Sequence, residues 1–537
     1  MIWADREAKK LKERNKPLEW VDDMKTPSGR VHVGALRGVI IHDIMYKALL
    51  NHGVNARYTY VFDDQDPMDG LPSYLPQEQW EQYMGWPLYK IPSPEPGFRS
   101  FAHYYAQEFI DVFNSINAYP EIVWGSELYT SGKMNTAIKT VLDNAEKVRE
   151  IYARIAHAEK SKDWYAFSVE CDQCHKIGTT QVYDWDGENV HYRCKPDAVK
   201  WAKGCGHEGK KSPYNGNGKL LWKLDWPAMW SVIGVTIEGS GKDHMSSGGS
   251  YDMADAFCKE VFHMETPYAF PYEWFTIGGR KMSSSKGIGS SAKEVSQILP
   301  PEVFRFLIVR TPIGTALDFN PYGETIPRLF DDYDRCMEAY FTKLENKLPE
   351  GKPGEVLADF ARIIELSEVR PLPISRQFLP RFRTICNLMK SKTDLVSYFC
   401  KQKGSQLTEE EKSILEERTV FAEVYLSKYA EGEQASNMGH RTVSKEQETE
   451  QKAFAPTTEQ KAFLQSLIAK LGPINPTDRD AIQNTVFEVL KASGQKPRDV
   501  FPAFYQALIG QNAGPRAADI IIQEGLDKSI EKLKKLI

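Results

Sequence analysis

The chain has 537 residues, 41% of them hydrophobic and 26% charged, with a net charge of −5 and eight cysteines. That composition is ordinary for a globular enzyme of about three or four domains, and it excludes a global positive field of the kind that advertises nucleic-acid binding, though local basic patches suffice for that. It also excludes a membrane span of about 18 uncharged apolar residues, a signal peptide at the charged start MIWADREAKK and a secreted disulfide scaffold, so a cytoplasmic protein is expected.

In chain order, LEWVDDM and ARYTYVF (56–62) read as buried strands rich in aromatic and β-branched residues. Between them, GALRGVIIHDIMYKALLNHG sets Leu36, Val39, Ile40, Ile44 and Ala48 at helical spacing, with Gly53 as the C-cap. Strand, helix, strand makes a βαβ unit and implies a parallel sheet with a right-handed crossover. DDQDPMDGLPSYLP is then a turn-rich loop at a strand's C-terminal end, where such sheets bind ligands. A helical stretch over 100–163 and a cysteine-rich segment follow. KLLWKLDWPAMWSVIGVTIEGSGKDH returns to sheet-like apolar runs, and YEWFTIGGRKMSSSKGIG reads as a strand entering a Gly/Ser-rich loop. From LPPEVFRFLIVRT (299–311) the pattern is helical to the end, interrupted by a polar, aperiodic linker at 431–458.

Three constellations point to chemistry. In TPSGRVHVGALRG, His32 and Gly34 stand where strand hands over to helix, and a helix N-terminus is a natural anion site. In GGRKMSSSKGIG (278–289), lysines and serines among glycines suit phosphate oxygens. Between them, Asp243 and His244 follow the run SVIGVTI; an aspartate there binds ribose hydroxyls or caps a turn. Separately, Cys171, Cys174, Cys194 and Cys205 supply four thiolates for a structural zinc, with His207 as the alternative fourth ligand. A redox Cys-x-x-Cys is the other reading, but nothing near it resembles a thioredoxin unit. Cys258, Cys336, Cys386 and Cys400 are isolated and read as buried apolar residues.

SGRVHVGA and KMSSS together resemble the paired HIGH and KMSKS signatures of class I aminoacyl-tRNA synthetases. His32 and Gly34 fill the first and third positions of one; Lys281, Met282, Ser283 and Ser285 fill four of five in the other. Ala35 stands in place of the second histidine and Ser284 in place of the second lysine, with Lys286 two residues on to supply the charge. The resemblance implies a doubly wound, Rossmann-type parallel-sheet catalytic domain with an inserted zinc-binding segment and an all-α C-terminal region. It implies ATP with Mg2+, catalytic roles for His32, Lys281 and Lys286, and ATP contacts from Ser28, Gly29, His32, Gly34, Ala35, Asp243, His244, Lys281, Met282, Ser283, Ser284 and Ser285.

With DDQDP, LDWPAMW, GKDH…GGSYD and GQNAGPRAADIIIQEG added, the chain resembles the class I type of lysyl-tRNA synthetase, most weakly across 400–470. The implied substrates are L-lysine, ATP and tRNA for lysine, with the chain expected as a monomer. A lysine site needs a carboxylate or π-face for the ammonium and an apolar slot for the stem. Asp63, Asp64, Asp225, Trp226, Trp230 and His244 are the candidates, with Asp64 or Asp225 for the charge. The implied boundaries are 1–100 and 216–298 for the two catalytic halves, 101–215 for the insert, 299–385 for a helical stem-contact region and 386–537 for anticodon binding. A class I synthetase for glutamate or arginine, and a noncatalytic zinc RNA-binding module with the synthetase fold, stay open as alternatives.

Overall fold

A computed structural model describes residues 1–277, 291–430, 456–476, 478–509 and 517–537, in two compact units, Met1–His440 and Arg441–Ile537. In the first unit, α1 (Trp3–Glu13) buries Ala4, Ala8 and Leu11 as one helical stripe and packs against α2 (Val33–Asn51). The strands β1 (Glu19–Lys25) and β2 (Ala56–Phe62) run parallel, Glu19 opposite Ala56 and Lys25 opposite Phe62, with α2 as the crossover. All five apolar positions expected on α2 are buried. Gly53 lies one residue beyond the cap at φ 74°, a left-handed turn that any Cβ would oppose.

The stretch that reads as continuous helix is broken. After α3 (Phe101–Ser115), β3 (Glu121–Trp124) pairs in parallel with β2, and the chain turns at once into α4 (Gly125–Thr130). A strand of four residues is too short for its alternation to show in sequence. The cysteine segment then folds as β4 (Phe167–Val169), β5 (Thr180–Trp185), β6 (Val190–Cys194), β7 (Glu208–Lys211) and β8 (Gly218–Leu220). Here β5, β6 and β7 form one antiparallel sheet, and β4 pairs with β8.

LDWPAMW corrects a second expectation, because it lies in a helix, α5 (Trp222–Ile233), rather than a sheet-like run. Its continuous apolar character hides two i, i+4 pairs, Leu224 with Ala228 and Trp226 with Trp230, and all four residues are buried. Beyond α5 the catalytic sheet resumes on the free edge of β1. The Asp22 amide donates to the Ile237 carbonyl and the Ile237 amide to the Trp20 carbonyl, each at 3.0 Å. Ile237 pairs in parallel with Tyr268, and β9 (Ser240–Gly241) with β10 (Pro271–Tyr272), on either side of α6 (Ser250–Glu260). The strands thus lie in the order β3, β2, β1, 237–241, 268–272, all parallel. Chain order reverses beside β1, which is where a doubly wound sheet opens a crevice for ligands.

Then β11 (Phe275–Thr276) pairs with β12 (Leu317–Asp318), and α7 (Pro301–Val309) packs against α2. The remainder of the first unit is helical, led by α8 (Thr325–Leu344) and α9 (Lys352–Leu366). The second unit holds α10 (Thr458–Leu471), α11 (Arg479–Ser493), α12 (Pro497–Ile509), α13 (Ala517–Glu524) and α14 (Leu526–Leu536) around Phe463, Leu467, Val486, Phe504 and Leu533. Residues 431–455 of the expected linker lie outside the described residues. Among the described residues no helix is long and apolar enough to cross a membrane.

Candidate active site

A cleft of about 460 Å³ opens at the C-terminal ends of β1 and the 237–241 strand. His32 is the N-cap residue of α2 and lines it, together with Gly34 and Ala35. A Cβ on Gly34 would stand 2.8 Å from His32 Nδ1 and 3.2 Å from the Phe275 carbonyl oxygen, so glycine is what lets the imidazole fold over the helix start. Behind it, His32 bridges to Ser291, and the Ala292 amide donates to Val31 at 2.9 Å. The chain therefore leaves the cleft wall at Thr276 and returns beside His32. Lys281, Met282, Ser283, Ser284, Ser285 and Lys286 fall between those points, outside the described residues.

On the opposite wall, Asp243 accepts from the Trp274 indole at 3.1 Å, and the His244 ring stands edge-on to Trp222 and Trp226. Both residues line the cleft. Ser28 is placed in an adjoining cleft, and Gly29 is buried beside it.

The acidic candidates separate. Asp64 is fully buried, accepts from the amide and hydroxyl of Ser126 at 2.7 Å each, and so pins the start of α4; it is not on the cleft wall. Trp230 is likewise behind the wall. Asp63, Asp225 and Trp226 do line the cleft, but the two carboxylates, with Asp66, surround the buried ammonium of Lys219 from β8. Lys219 Nζ lies 2.9 Å from both Asp63 and Asp66 and also touches Asp225, whose other oxygen accepts from the Tyr129 hydroxyl. Burial works against the Lys219 charge, yet Asp225, Asp63 and Asp66 outweigh it and hold the ammonium well above its ordinary range.

Three further groups on the wall escape sequence reasoning. Glu238 is buried and accepts from both the Trp226 and Trp230 indoles. Tyr272 closes the far side. Asp23 is 8% exposed, and its Oδ1 accepts from the Met24 amide at 2.9 Å. Its Oδ2 stands 3.6 Å from His42 Nδ1. His42 Nε2 accepts from the Gly239 amide, so this ring carries its proton on Nδ1 and gives it to the Gly38 carbonyl at 2.8 Å. Asp23 thus has no cation in contact among the described residues, and burial pushes its carboxyl up. A Cβ on Gly38 would stand 2.8 Å from Tyr272 Oη and 2.9 Å from Asp23 Oδ2, so glycine is what lets both oxygens pack against α2. The one sequence signal for this wall is the acidic pair Asp22-Asp23 between the apolar residues Trp20, Val21 and Met24 of β1.

Away from the cleft, the Sγ atoms of Cys171, Cys174, Cys194 and Cys205 all lie within 4.8 Å of one another. The pairs Cys171–Cys205 and Cys174–Cys194 are each 3.6 Å apart, and the Cys205 amide and Thr179 hydroxyl approach Cys194 Sγ at 3.3 Å. His207 is not part of the group.

Residues 1–360 match the family described as "tRNA synthetases class I (K)", and residues 433–537 match "Anticodon binding domain". Among curated relatives, a lysine–tRNA ligase of Methanocaldococcus jannaschii is 32% identical, with 99% of each chain covered. One from Methanosarcina barkeri is 32% identical over 96% of this chain and 94% of its own, and one from Methanosphaera stadtmanae is 29% identical over 99% of both.

Proposed function

The chain belongs to the class I tRNA synthetases of the lysine type, its reaction is the ligation of lysine to tRNA, and we infer from its cleft which groups carry each part. A lysine carboxylate oxygen attacks the α-phosphorus of ATP. The bond to the β-phosphate breaks, pyrophosphate leaves and lysyl-adenylate remains. A ribose hydroxyl at the tRNA terminus then attacks the adenylate carbonyl carbon; the bond to AMP breaks, and the hydroxyl proton passes to the departing phosphate or to water. The protein forms no covalent bond in either step, so positioning and charge stabilisation set the rate.

ATP phosphates lie at the N-terminus of α2, where free amides and the His32 ring face them. Asp243 takes the ribose hydroxyls. Lys281 and Lys286 neutralise the leaving pyrophosphate, and Mg2+ arrives with the phosphates to share that charge. The ε-ammonium of lysine pairs with the Asp23 carboxylate, with the Tyr272 hydroxyl on the same cleft. One observation carries this assignment: Asp23 is a buried carboxylate on the cleft with no cation in contact among the described residues, whereas Asp64 and Asp225 are already engaged. The Trp226 face lines the same cleft and suits the aliphatic stem.

The four thiolates fit a tetrahedral zinc, for which bonds of about 2.3 Å imply sulfur separations of about 3.8 Å. Bound there, zinc supplies folding energy to the insert, and no catalytic step passes through it. The second unit grips the anticodon through unpaired bases. Charging assays with ATP, unfractionated tRNA and lysine, glutamate or arginine test the reading. Lysyl-tRNA alone is expected to form; charging with glutamate or arginine, or RNA binding without charging, overturns it.

A further inference from the structure

The cleft must take two anionic groups, the triphosphate and the amino-acid carboxylate that attacks it. Among the described residues that line the cleft, Lys25 is the one lysine or arginine. Apart from two histidines, every other charged side chain there is a carboxylate. Lys219 neutralises Asp63, Asp66 and Asp225 from behind and is fully engaged in doing so. The Lys25 ammonium, by contrast, makes no hydrogen bond or ion pair among the described residues. Asp23, Asp69 and Asp66 act on it only from a distance, and burial draws it below its ordinary range, a cost that an anion brought beside it would offset.

The strand indicates which anion. Lys25 is the last residue of β1 and stands immediately before TPSGRVHVG, outside either signature. Asp23 lies two residues earlier, so the two side chains leave the same face of β1 about 7 Å apart. Asp23 meets α2 at Gly38 and His42, inside the helix, whereas the strand's end at Lys25 leads to the helix start, where the phosphates lie. A lysine with its ε-ammonium at Asp23 and its carboxylate turned to the α-phosphate therefore runs along β1. Its extended length is comparable to the separation of the two side chains, which brings the carboxylate to Lys25.

We propose that Lys25 binds the α-carboxylate of the substrate lysine, holding one oxygen while the other attacks the α-phosphorus. The attacking oxygen forms the bond to phosphorus, pyrophosphate leaves with the electron pair of the bond that breaks, and Lys25 keeps its proton throughout. The proposal rests on the placement of the ε-ammonium at Asp23. It is tested with the full-length enzyme and tRNA present, by lysine-dependent ATP–pyrophosphate exchange inhibited with L-lysinamide, which keeps both amines and lacks the carboxylate charge. Lys25→Met is expected to raise the KM for lysine about 10- to 100-fold and to leave the inhibition constant of lysinamide unchanged or lower. Lys25→Arg, which keeps the charge, is expected to retain the preference for lysine over lysinamide within a few-fold. An unchanged KM for lysine, equal losses for lysine and lysinamide, or a rise in the KM for ATP instead overturns it. Should Lys25→Met fail to fold, Lys25→Gln decides by the same ratio. The placement at Asp23 is read separately, by lysine against norleucine in Asp23→Asn, so the two failures are distinct.

Discussion

Replacing Asp23 with asparagine keeps the shape of the side chain and removes its charge. The Oδ1 bond to the Met24 amide survives in the variant, so the end of β1 is retained. What disappears is the carboxylate on the cleft wall, at a residue only 8% exposed. Removing one partner of a buried ion pair costs about 3–5 kcal/mol. The cleft is open to solvent on one side, so the loss falls below that range, to about 2–3 kcal/mol, as for a hydrogen bond to a charged group. At 1.36 kcal/mol per decade that is about 30- to 160-fold in kcat/KM for lysine. The assay is lysine-dependent ATP–pyrophosphate exchange with tRNA present, varying lysine and ATP separately. The KM for lysine should rise while that for ATP holds, and the preference for lysine over norleucine, which lacks the ε-ammonium, should shrink. Unchanged lysine kinetics, or equal losses for lysine and ATP, would refute the assignment.

Gly34→Ala drives a methyl into the His32 ring and toward the Phe275 carbonyl; adenylation should slow about 100-fold with the melting temperature little changed, and a normal kcat would show that the ring position is immaterial. Chelation, or Cys171→Ser, should raise hydrogen exchange across 165–215 while β1, β2 and β3 stay protected; freshly purified protein without metal by elemental analysis rules the site out. Burial and Arg99 lower His103 to about 4, so between the ordinary 6.5 and that value the unfolded chain binds more protons and stability falls as pH drops through the window. Denaturant midpoints measured from neutral to acid pH should show this decline and should flatten in His103→Gln; an identical slope in the variant contradicts it.

Those parts of the fold that announce themselves in sequence are those with a long repeat. Helix α2 has 19 residues and five spaced apolar positions, enough to fix its face. By contrast β3 has four residues, and α5 is apolar on nearly all sides, so neither gives its period away. The site divides along the same line. His32 and Gly34 are legible because one short turn sets their geometry, and Cys171 and Cys174 because a tight knuckle does. Asp64 lies in the bend just past β2, where its amide donates to the Phe62 carbonyl at 2.9 Å, so Asp63 meets the cleft while its neighbour turns back to Ser126. Asp22 and Asp23 pose the same choice on β1, and only the pairing of β1 with the 237–241 strand decides it. Glu238 and Tyr272 come to that wall from over 200 residues downstream, where no local pattern marks them.

Lys219 shows how the strands of the cysteine segment reach the cleft wall. Its ammonium comes from β8, while Asp63 stands just past β2, Asp66 in the following loop and Asp225 in the first turn of α5. Three carboxyl groups share one ammonium, and all but Asp66 are nearly inaccessible to solvent, burial pushing Asp63 and Asp225 above the ordinary carboxylate range. Without that ammonium the carboxylates would repel one another in a low-dielectric wall, and the cleft floor would have to open or take up protons. The register of β8 against β4, Leu220 opposite Phe167 and Gly218 opposite Val169, is what delivers the lysine to them. Cys171 begins just two residues beyond β4, so the segment that the thiolates gather is the one that holds this strand pair in place. The cysteine cluster and the charge balance of the cleft wall are therefore joined through one short antiparallel pairing.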